Sequence, residues 1–240
     1  MASGHCRTAE KTLGGARTMR ITWYGQSTFH LQAAGASAFI DPFGVFEKGS
    51  RGQLQFDYPQ IPRLQVDLLL ITHEHFDHNA QDALAPAKAV VRSTAGRFQT
   101  PIGEVIGVAS EHDAVAGTQR GPNSIFVFTL GGMRVCHFGD FGQSVLREEQ
   151  AQAIGRVDLL FVPVGGGPTI AAAGAHEIAR RLQARIVVPM HYRTAAINFL
   201  EPVDAFLASS REVMRMENSF DTDAVPAGAT VTVVPEAPGD

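Results

Sequence analysis

Six consecutive positions carry most of the chemistry open to this chain: His73-Glu74-His75-Phe76-Asp77-His78. A neutral imidazole binds zinc and similar borderline metals through a ring nitrogen, and a carboxylate adds a harder oxygen donor. In a turn after a strand, His73 and His75 can point one way while Asp77 and His78 point toward a second position a few ångströms off. One short loop then serves two adjacent metal ions, about 3.5–4 Å apart in sites of this kind. The bland alternative is a solvated polar loop. The chain has nine histidines in 240 residues, so three of them and an aspartate within six positions form a motif with a low false-positive risk.

Two metals need more donors than one loop offers. His112 follows the strand-like run ending at Ala109, Asp140 follows MRVCHF in a Gly-Asp-Phe-Gly turn, and His191 follows RIVVP in Pro-Met-His-Tyr. Each lies at the C-terminal end of a predicted strand, the edge where sites assemble in open α/β sheets. Any one of the three alone is more often structural. All three at equivalent positions, beside the six-residue motif, point to one shared site. His30 and His137 fall within strand patterns and read as packed or surface residues. His176 falls within a helical pattern and reads as surface, while Glu74 and Asp113 flank the candidate ligands.

The elements that must position these residues can be read from hydrophobic periodicity. Residues 20–33 are strand-like with a turn at Gly25-Gln26-Ser27, and 37–40 form a short strand ended by Asp41-Pro42. Near-continuous apolar runs at 66–71 (VDLLLI), 157–162 (VDLLFV) and 185–189 fit strands covered on both faces. Further strands are expected at 87–91, 104–109, 124–129, 133–138 and 230–234, and helices at 144–154, 169–183 and 202–208, with Ser144 and Thr169 as N-caps. The first half is strand-rich and the second alternates strand and helix, so the expected fold is an α/β sandwich with sheets inside and helices outside. Residues 1–18 read as a disordered extension before a single domain, 19–240. Residues 43–65 read as a flap beside the site.

Composition narrows the partners. The net charge of −4 gives no global attraction to nucleic acid or anionic membranes, and neither partner is expected. Two cysteines, Cys6 and Cys136, make no disulfide framework and fit a reducing, cytoplasmic setting. No apolar run approaches the ~18 residues that span a bilayer.

The order His-x-His-x-Asp-His, then His, Asp and His, resembles the metallo-β-lactamase superfamily. More narrowly, Trp23-Tyr24-Gly25-Gln26-Ser27, Ile40-Asp41-Pro42, His137-Phe138-Gly139-Asp140 and Pro189-Met190-His191-Tyr192 are similar to the branch containing L-ascorbate-6-phosphate lactonase and N-acylphosphatidylethanolamine-hydrolysing phospholipase D. The resemblance implies an αββα sandwich. It also implies two divalent metals, zinc foremost with Mn and Fe as alternatives. His73, His75 and His112 would hold the first, Asp77, His78 and His191 the second, and Asp140 would bridge both. Asp41 matches an aspartate that orients a ligand histidine. One departure is Gly25-Gln26-Ser27, where this branch often has Gly-His-Ser.

Two metals lower the pKa of a bridging water toward ~7, so hydroxide can attack a carbonyl or phosphorus, with Asp77 or a bound water protonating the leaving group. The expected activity is hydrolysis of an ester, lactone or phosphoester of a small anionic metabolite. Phosphodiester cleavage in lipid or nucleic acid and a non-catalytic metal-binding role stay open beside it. Gly165-Gly166-Gly167, Thr169 at a helix start, and Arg193 two residues past His191 are the candidate anion-binding groups, against the alternative of a plain tight turn.

Overall fold

The computed structural model describes residues 18–45 and 54–239. The predicted extension (apart from Thr18), Cys6 and the 46–53 part of the predicted flap lie outside the described residues. In chain order the strands are β1 (Arg20–Gly25), β2 (Thr28–Ala33), β3 (Ala36–Ile40), β4 (Leu68–Ile71), β5 (Ala89–Arg92), β6 (Gly96–Thr100), β7 (Gly103–Glu111), β8 (Pro122–Leu130), β9 (Met133–His137), β10 (Leu159–Pro163), β11 (Ile186–Met190), β12 (Val213–Met216), β13 (Ser219–Asp221) and β14 (Val231–Pro235). The helices are α1 (Glu148–Ile154), α2 (Ala172–Arg181) and α3 (Asp204–Leu207). One sheet has the order β13-β1-β2-β3-β4-β5 and the other β12-β14-β11-β10-β9-β8-β7-β6.

The apolar run VDLLLI explains why the smaller sheet is covered on both faces. Leu68 and Leu70 join Ala38 and Ile40 in the main core, which is shared with the larger sheet. Leu69 and Ile71 turn the other way and join Phe39, Phe43, Tyr58, Ile61 and Leu84 in a second cluster. Side chains alternate along a strand, so a run without polar residues has apolar surface to bury on both sides. Each such leucine contributes about 1.5–3 kcal/mol. Between the sheets, Phe29 meets Phe161 with ring centroids 4.3 Å apart.

The sandwich expected from the sequence is present, with an asymmetry in its outer layers. Among the described residues, α1 and α2 pack on the larger sheet. The outer face of the smaller sheet is covered instead by the irregular segment around Tyr58 and Ile61, by Leu84 directly after a 3-10 turn at Gln81–Ala83, and by Ile197 and Leu200. The described part of the expected flap is anchored in this layer by Phe43, Tyr58 and Ile61, while its other residues are half-buried or exposed. No helix among the described residues is long and apolar enough to cross a membrane.

Several boundaries differ from the sequence reading. Ser144 does not cap α1; the helix begins at Glu148 after Arg147, whose N–H donates to Gln150 Oε1 at 2.9 Å. Thr169 does not cap α2 either, because Ala171 holds that position. Both the N–H and the hydroxyl of Thr169 turn back onto the Gly166 carbonyl, at 3.1 and 3.3 Å, closing a separate turn before the helix starts. The expected helix 202–208 is reduced to the single turn of α3. Strands β6, β12 and β13 were not expected. They lack an apolar run because they pair near sheet edges with much of their surface in water.

Topology brings the chemistry to one edge. Strands β3, β4 and β5 are mutually parallel, and β1 runs with them because it is antiparallel to β2, which is antiparallel to β3. In the other sheet β9, β10 and β11 are parallel, and two antiparallel steps through β8 give β7 the same sense. Segments leaving β1, β3, β4, β7, β9 and β11 therefore emerge together.

Candidate metal centre

Those segments carry Gln26-Ser27, Asp41, His73 to His78, His112, Asp140 and His191. The Asp140 carboxylate is the hub. Its Oδ2 lies 3.1 Å from His112 Nε2, 3.1 Å from His191 Nε2, 3.3 Å from His78 Nε2 and 3.9 Å from His73 Nε2. His78 Nε2 is also 3.6 Å from Asp77 Oδ2. Two groups have donor atoms close enough to hold an ion: His73, His75 and His112, and His73, His78 and Asp140. All seven predicted ligands come together, and all are buried except His75, which is half-buried.

Neighbouring groups fix which nitrogen of each ring faces inward. Asp41 accepts from the Thr72 N–H and from the Thr72 hydroxyl, both at 2.7 Å, and from His78 Nδ1 at 3.0 Å. With its proton committed to Asp41, the Thr72 hydroxyl can only accept from His73 Nδ1, 3.0 Å away. His112 Nδ1 donates to the Pro168 carbonyl at 3.0 Å. Three rings are thus held with Nδ1–H outward and Nε2 toward Asp140, the way carboxylates and carbonyls orient metal-bound histidines. The buried Nε2 of His73 has no hydrogen-bond partner, and that of His78 makes no well-aligned hydrogen bond although Asp140 Oδ2 lies 3.3 Å away. Unsatisfied buried polar atoms cost free energy, and a cation among them would remove that cost. The donor set therefore fits divalent metal ions.

The backbone is bent to make this arrangement. Gln26, Asp41 and His191 all have φ near +50°, a conformation rare outside glycine and concentrated at functional sites. Gly139 has φ +55°, and a Cβ there would come within 2.4 Å of Asn123 Oδ1 and 2.7 Å of Thr72 Cβ. Asn123 needs that closeness, since its Oδ1 accepts the Asp140 N–H at 3.1 Å.

Charge follows from burial and from the hub. Burial drives the His73 pKa well below its usual value and also lowers that of His75. Burial works against a charge on His78 too, but the Asp140 and Asp77 carboxylates overcome it and raise its pKa well above the ordinary histidine value. Burial likewise opposes charge on Asp140, yet the surrounding histidines, led by His191 and His78, hold its carboxyl well below the usual range.

Residues that the motif did not reveal complete the site. Gln26 Nε2 donates to Asp77 Oδ2 at 3.1 Å, so the glutamine that replaces histidine here steadies a candidate ligand. The Ser27 hydroxyl reaches Asp140 Oδ1 at 3.4 Å. Glu74 is held by Arg92 and Ser93. His176 is not a plain surface residue: it stacks on Phe206 and bonds the Phe206 carbonyl, joining α2 to α3.

The candidate anion groups are placed differently from expectation. The Gly166 N–H donates to the Ile170 carbonyl and the Thr169 N–H to Gly166, so these donors are spent inside the loop. Gly165 is required because its backbone nearly touches that of His191; a Cβ would fall 2.1 Å from the His191 carbonyl oxygen. Gly167 has φ +58° with open space around it. Arg193 Nε is engaged by the Leu200 carbonyl at 2.7 Å.

His137 is fully buried near Phe29 and Phe161 and is not among the inward-facing donors. Its loss nevertheless cannot be mild. Its Nε2 donates to the Ser27 carbonyl at 3.0 Å and its Nδ1 accepts the Gly139 N–H at 3.1 Å, tying two site turns to β9. His137→Ala leaves a cavity and two unpaired backbone groups, at a cost of about 3–5 kcal/mol. A thermal melt is expected to show a midpoint ~10 °C lower. A change under 2 °C would mean that these bonds contribute little.

Comparison with known proteins follows the same lines. The profile of the beta-lactamase superfamily domain matches residues 20–191. A UPF0173 protein of Pyrococcus abyssi is 30% identical over 192 residues, covering 73% of this chain and 84% of the relative. A UPF0173 metal-dependent hydrolase of Ignicoccus hospitalis is 28% identical over 208 residues, covering 74% and 84%. A crystal structure from Thermotoga maritima, assigned to the Zn-dependent hydrolases of the metallo-beta-lactamase superfamily, superposes with a TM-score of 0.72 at 32% identity, covering 90% of this chain and 98% of that one. The matching profile, the two-sheet fold and the His/Asp cluster at its edge place this chain in the beta-lactamase superfamily, among its metal-dependent hydrolases.

Proposed function

We propose that the site holds two divalent ions, zinc foremost with Mn and Fe as alternatives, and hydrolyses an ester, lactone or phosphoester of a small anionic metabolite. The observation that carries this reading is Asp140 Oδ2 lying 3.1–3.9 Å from the inward nitrogens of four histidines. A carboxylate at the junction of two donor groups suits a bridge between two ions. His73, His75 and His112 would hold one ion, and Asp77, His78 and His191 the other. Bound there, the ions would supply Lewis acidity and a water acidic enough to ionise near neutral pH. Asp77, steadied by Gln26, would take up the proton released by the attacking water and return it to the leaving group. Asp41 and Thr72 keep His73 and His78 from turning. We read the chain as cytoplasmic, in keeping with the buried free Cys136.

Elemental analysis of purified protein should give close to two metals per chain. Turnover on a panel of lactones, esters and phosphodiesters should follow metal content. A reproducible stoichiometry near zero, with no uptake of added Zn²⁺ or Mn²⁺, would overturn the reading; a stoichiometry of one would overturn the bridge alone.

A further inference from the structure

Next to His73 and His75 lies a second feature, a cleft of 130 Å³ lined also by Thr72, Glu74, Ser93, Arg120, Pro122 and Ser124. At about 30 Å³ per water this has room for roughly four waters, enough for a carboxylate or phosphate group. One of its charges is cancelled: Glu74 is clamped by Arg92 from outside the cleft and by the Ser93 hydroxyl. Arg120 is different. Its guanidinium makes no ion pair or hydrogen bond among the described residues, as is also true of Arg63, Arg156, Arg185, Arg211 and Arg215, but of these Arg120 alone lines the cleft, whereas Arg20, Arg92, Arg97, Arg147, Arg180 and Arg181 each pair with a carboxylate.

Arg120 is also held in place by an unusual loop. Asp113, directly after His112, accepts four main-chain N–H groups: Val115 at 2.9 Å and Gly117 at 2.8 Å on Oδ1, and Gln119 at 2.9 Å and Arg120 itself at 2.8 Å on Oδ2. The Gly121 N–H closes on Gly117 at 2.9 Å, and the His112 N–H closes on Gly121 at 3.1 Å. One buried carboxylate thereby organises the whole segment from a candidate ligand to Arg120. This solves a problem that Gly165, Gly166, Gly167, Thr169 and Arg193 leave open, since most of their polar groups face inward to their own loops.

We infer that Arg120 is the specificity residue of the site, binding a carboxylate or phosphate of the substrate in the cleft beside His73 and His75, with Asp113 as its positioning residue. The inference rests on the hydrolase reading for the identity of the ligand as a substrate. Guanidinium suits the task because its fork matches both oxyanions with two parallel N–H donors. An anion seated there adjoins the metal position offered by His73, His75 and His112.

The test uses the metal-loaded full chain and two esters with the same leaving group, p-nitrophenyl acetate and mono-p-nitrophenyl succinate, beside calorimetric titration with inorganic phosphate. Arg120→Ala is expected to lower kcat/KM for the succinate ester about 10- to 100-fold, mainly through KM, and to leave the acetate ester within twofold. Arg120→Lys should recover part of the loss. Phosphate affinity should fall at least about tenfold in Arg120→Ala. Equal effects on the two esters, or unchanged phosphate affinity, would overturn the role of Arg120. Should the wild type hydrolyse neither ester while its phosphate affinity still depends on Arg120, the anion site stands and the small-ester reading fails.

Discussion

Asp140→Asn should leave a folded protein that has lost hydrolysis by roughly 10³-fold or more, beyond the usual cost of removing a single charge-stabilising donor. The substitution keeps the shape of a side chain that is almost fully buried, and it preserves the Asn123 contact because that bond is made by the Asp140 main-chain N–H. What disappears is the negative charge facing His73, His78, His112 and His191. Without it His78 loses its principal counter-charge, so its pKa should drop back toward or below the ordinary histidine value, where burial pushes it. Three measurements separate this outcome from unfolding. Circular dichroism should match the wild type, bound metal should fall, and a proton NMR titration should show the His78 pKa moved down. A folded Asp140→Asn protein with full activity would rule out any bridging role. Asp140→Ala is the poorer probe, because it adds a cavity to the lost charge.

The contrast between what was and was not legible in the sequence follows from which residues act locally. The cluster at 73–78 could be read because its donors sit in one loop, and the strand before it is an uninterrupted apolar run. His112, Asp140 and His191 could be read because parallel strands deliver their C-terminal ends to one edge whatever the details of packing. The orienting groups are another matter. Thr72, Pro168, Asn123 and Gln26 carry no spacing signal; each becomes meaningful only when a partner 17 to 56 positions away in the chain arrives beside it, Asp41 in the case of Thr72. Pro168 acts through a carbonyl, which every residue type possesses. Thr169 shows the opposite failure. A threonine after three glycines and before an apolar stripe has the local signature of an N-cap, but its donors are used to close a turn three residues too early. Arg120 was not singled out because its significance depends on the Asp113 carboxylate folding the 113–121 segment around itself.

Metal affinity should rise with pH by about tenfold per unit through the neutral range, the slope expected when one proton must leave. The proton in question is the one on His78. In the metal-free fold its pKa is raised well above the usual value by Asp140 and Asp77 against the opposing effect of burial, so the ring is charged at neutral pH. A metal needs the lone pair that this proton occupies. His73 and His75, with lowered pKa values, have no such proton to give up at neutral pH, and Asp140, with its pKa far below the usual range, is already ionised. The same signs govern stability. A histidine whose pKa is raised on folding stabilises the metal-free protein below the unfolded value near 6.5, and that contribution is lost as pH climbs through the raised value. Asp140, being depressed, contributes above its unfolded value near 3.8 and loses that contribution only as pH falls through the depressed one, so it is constant across the neutral range. His73 and His75, with lowered values, act in the opposite sense and add stability as pH rises toward their unfolded value near 6.5, so the metal-free protein should soften only above that, as pH climbs through the raised His78 value, while the metal-loaded protein gains affinity, and the gap between their melting temperatures should widen with pH there. Competition against a chelator of known proton linkage at several pH values, with calorimetry in two buffers of different ionisation enthalpy to count the released proton, tests both halves. A flat affinity profile with no proton released would show that His78 is not charged before the metal enters, and the pairing with Asp140 would then have to be assigned to neutral groups.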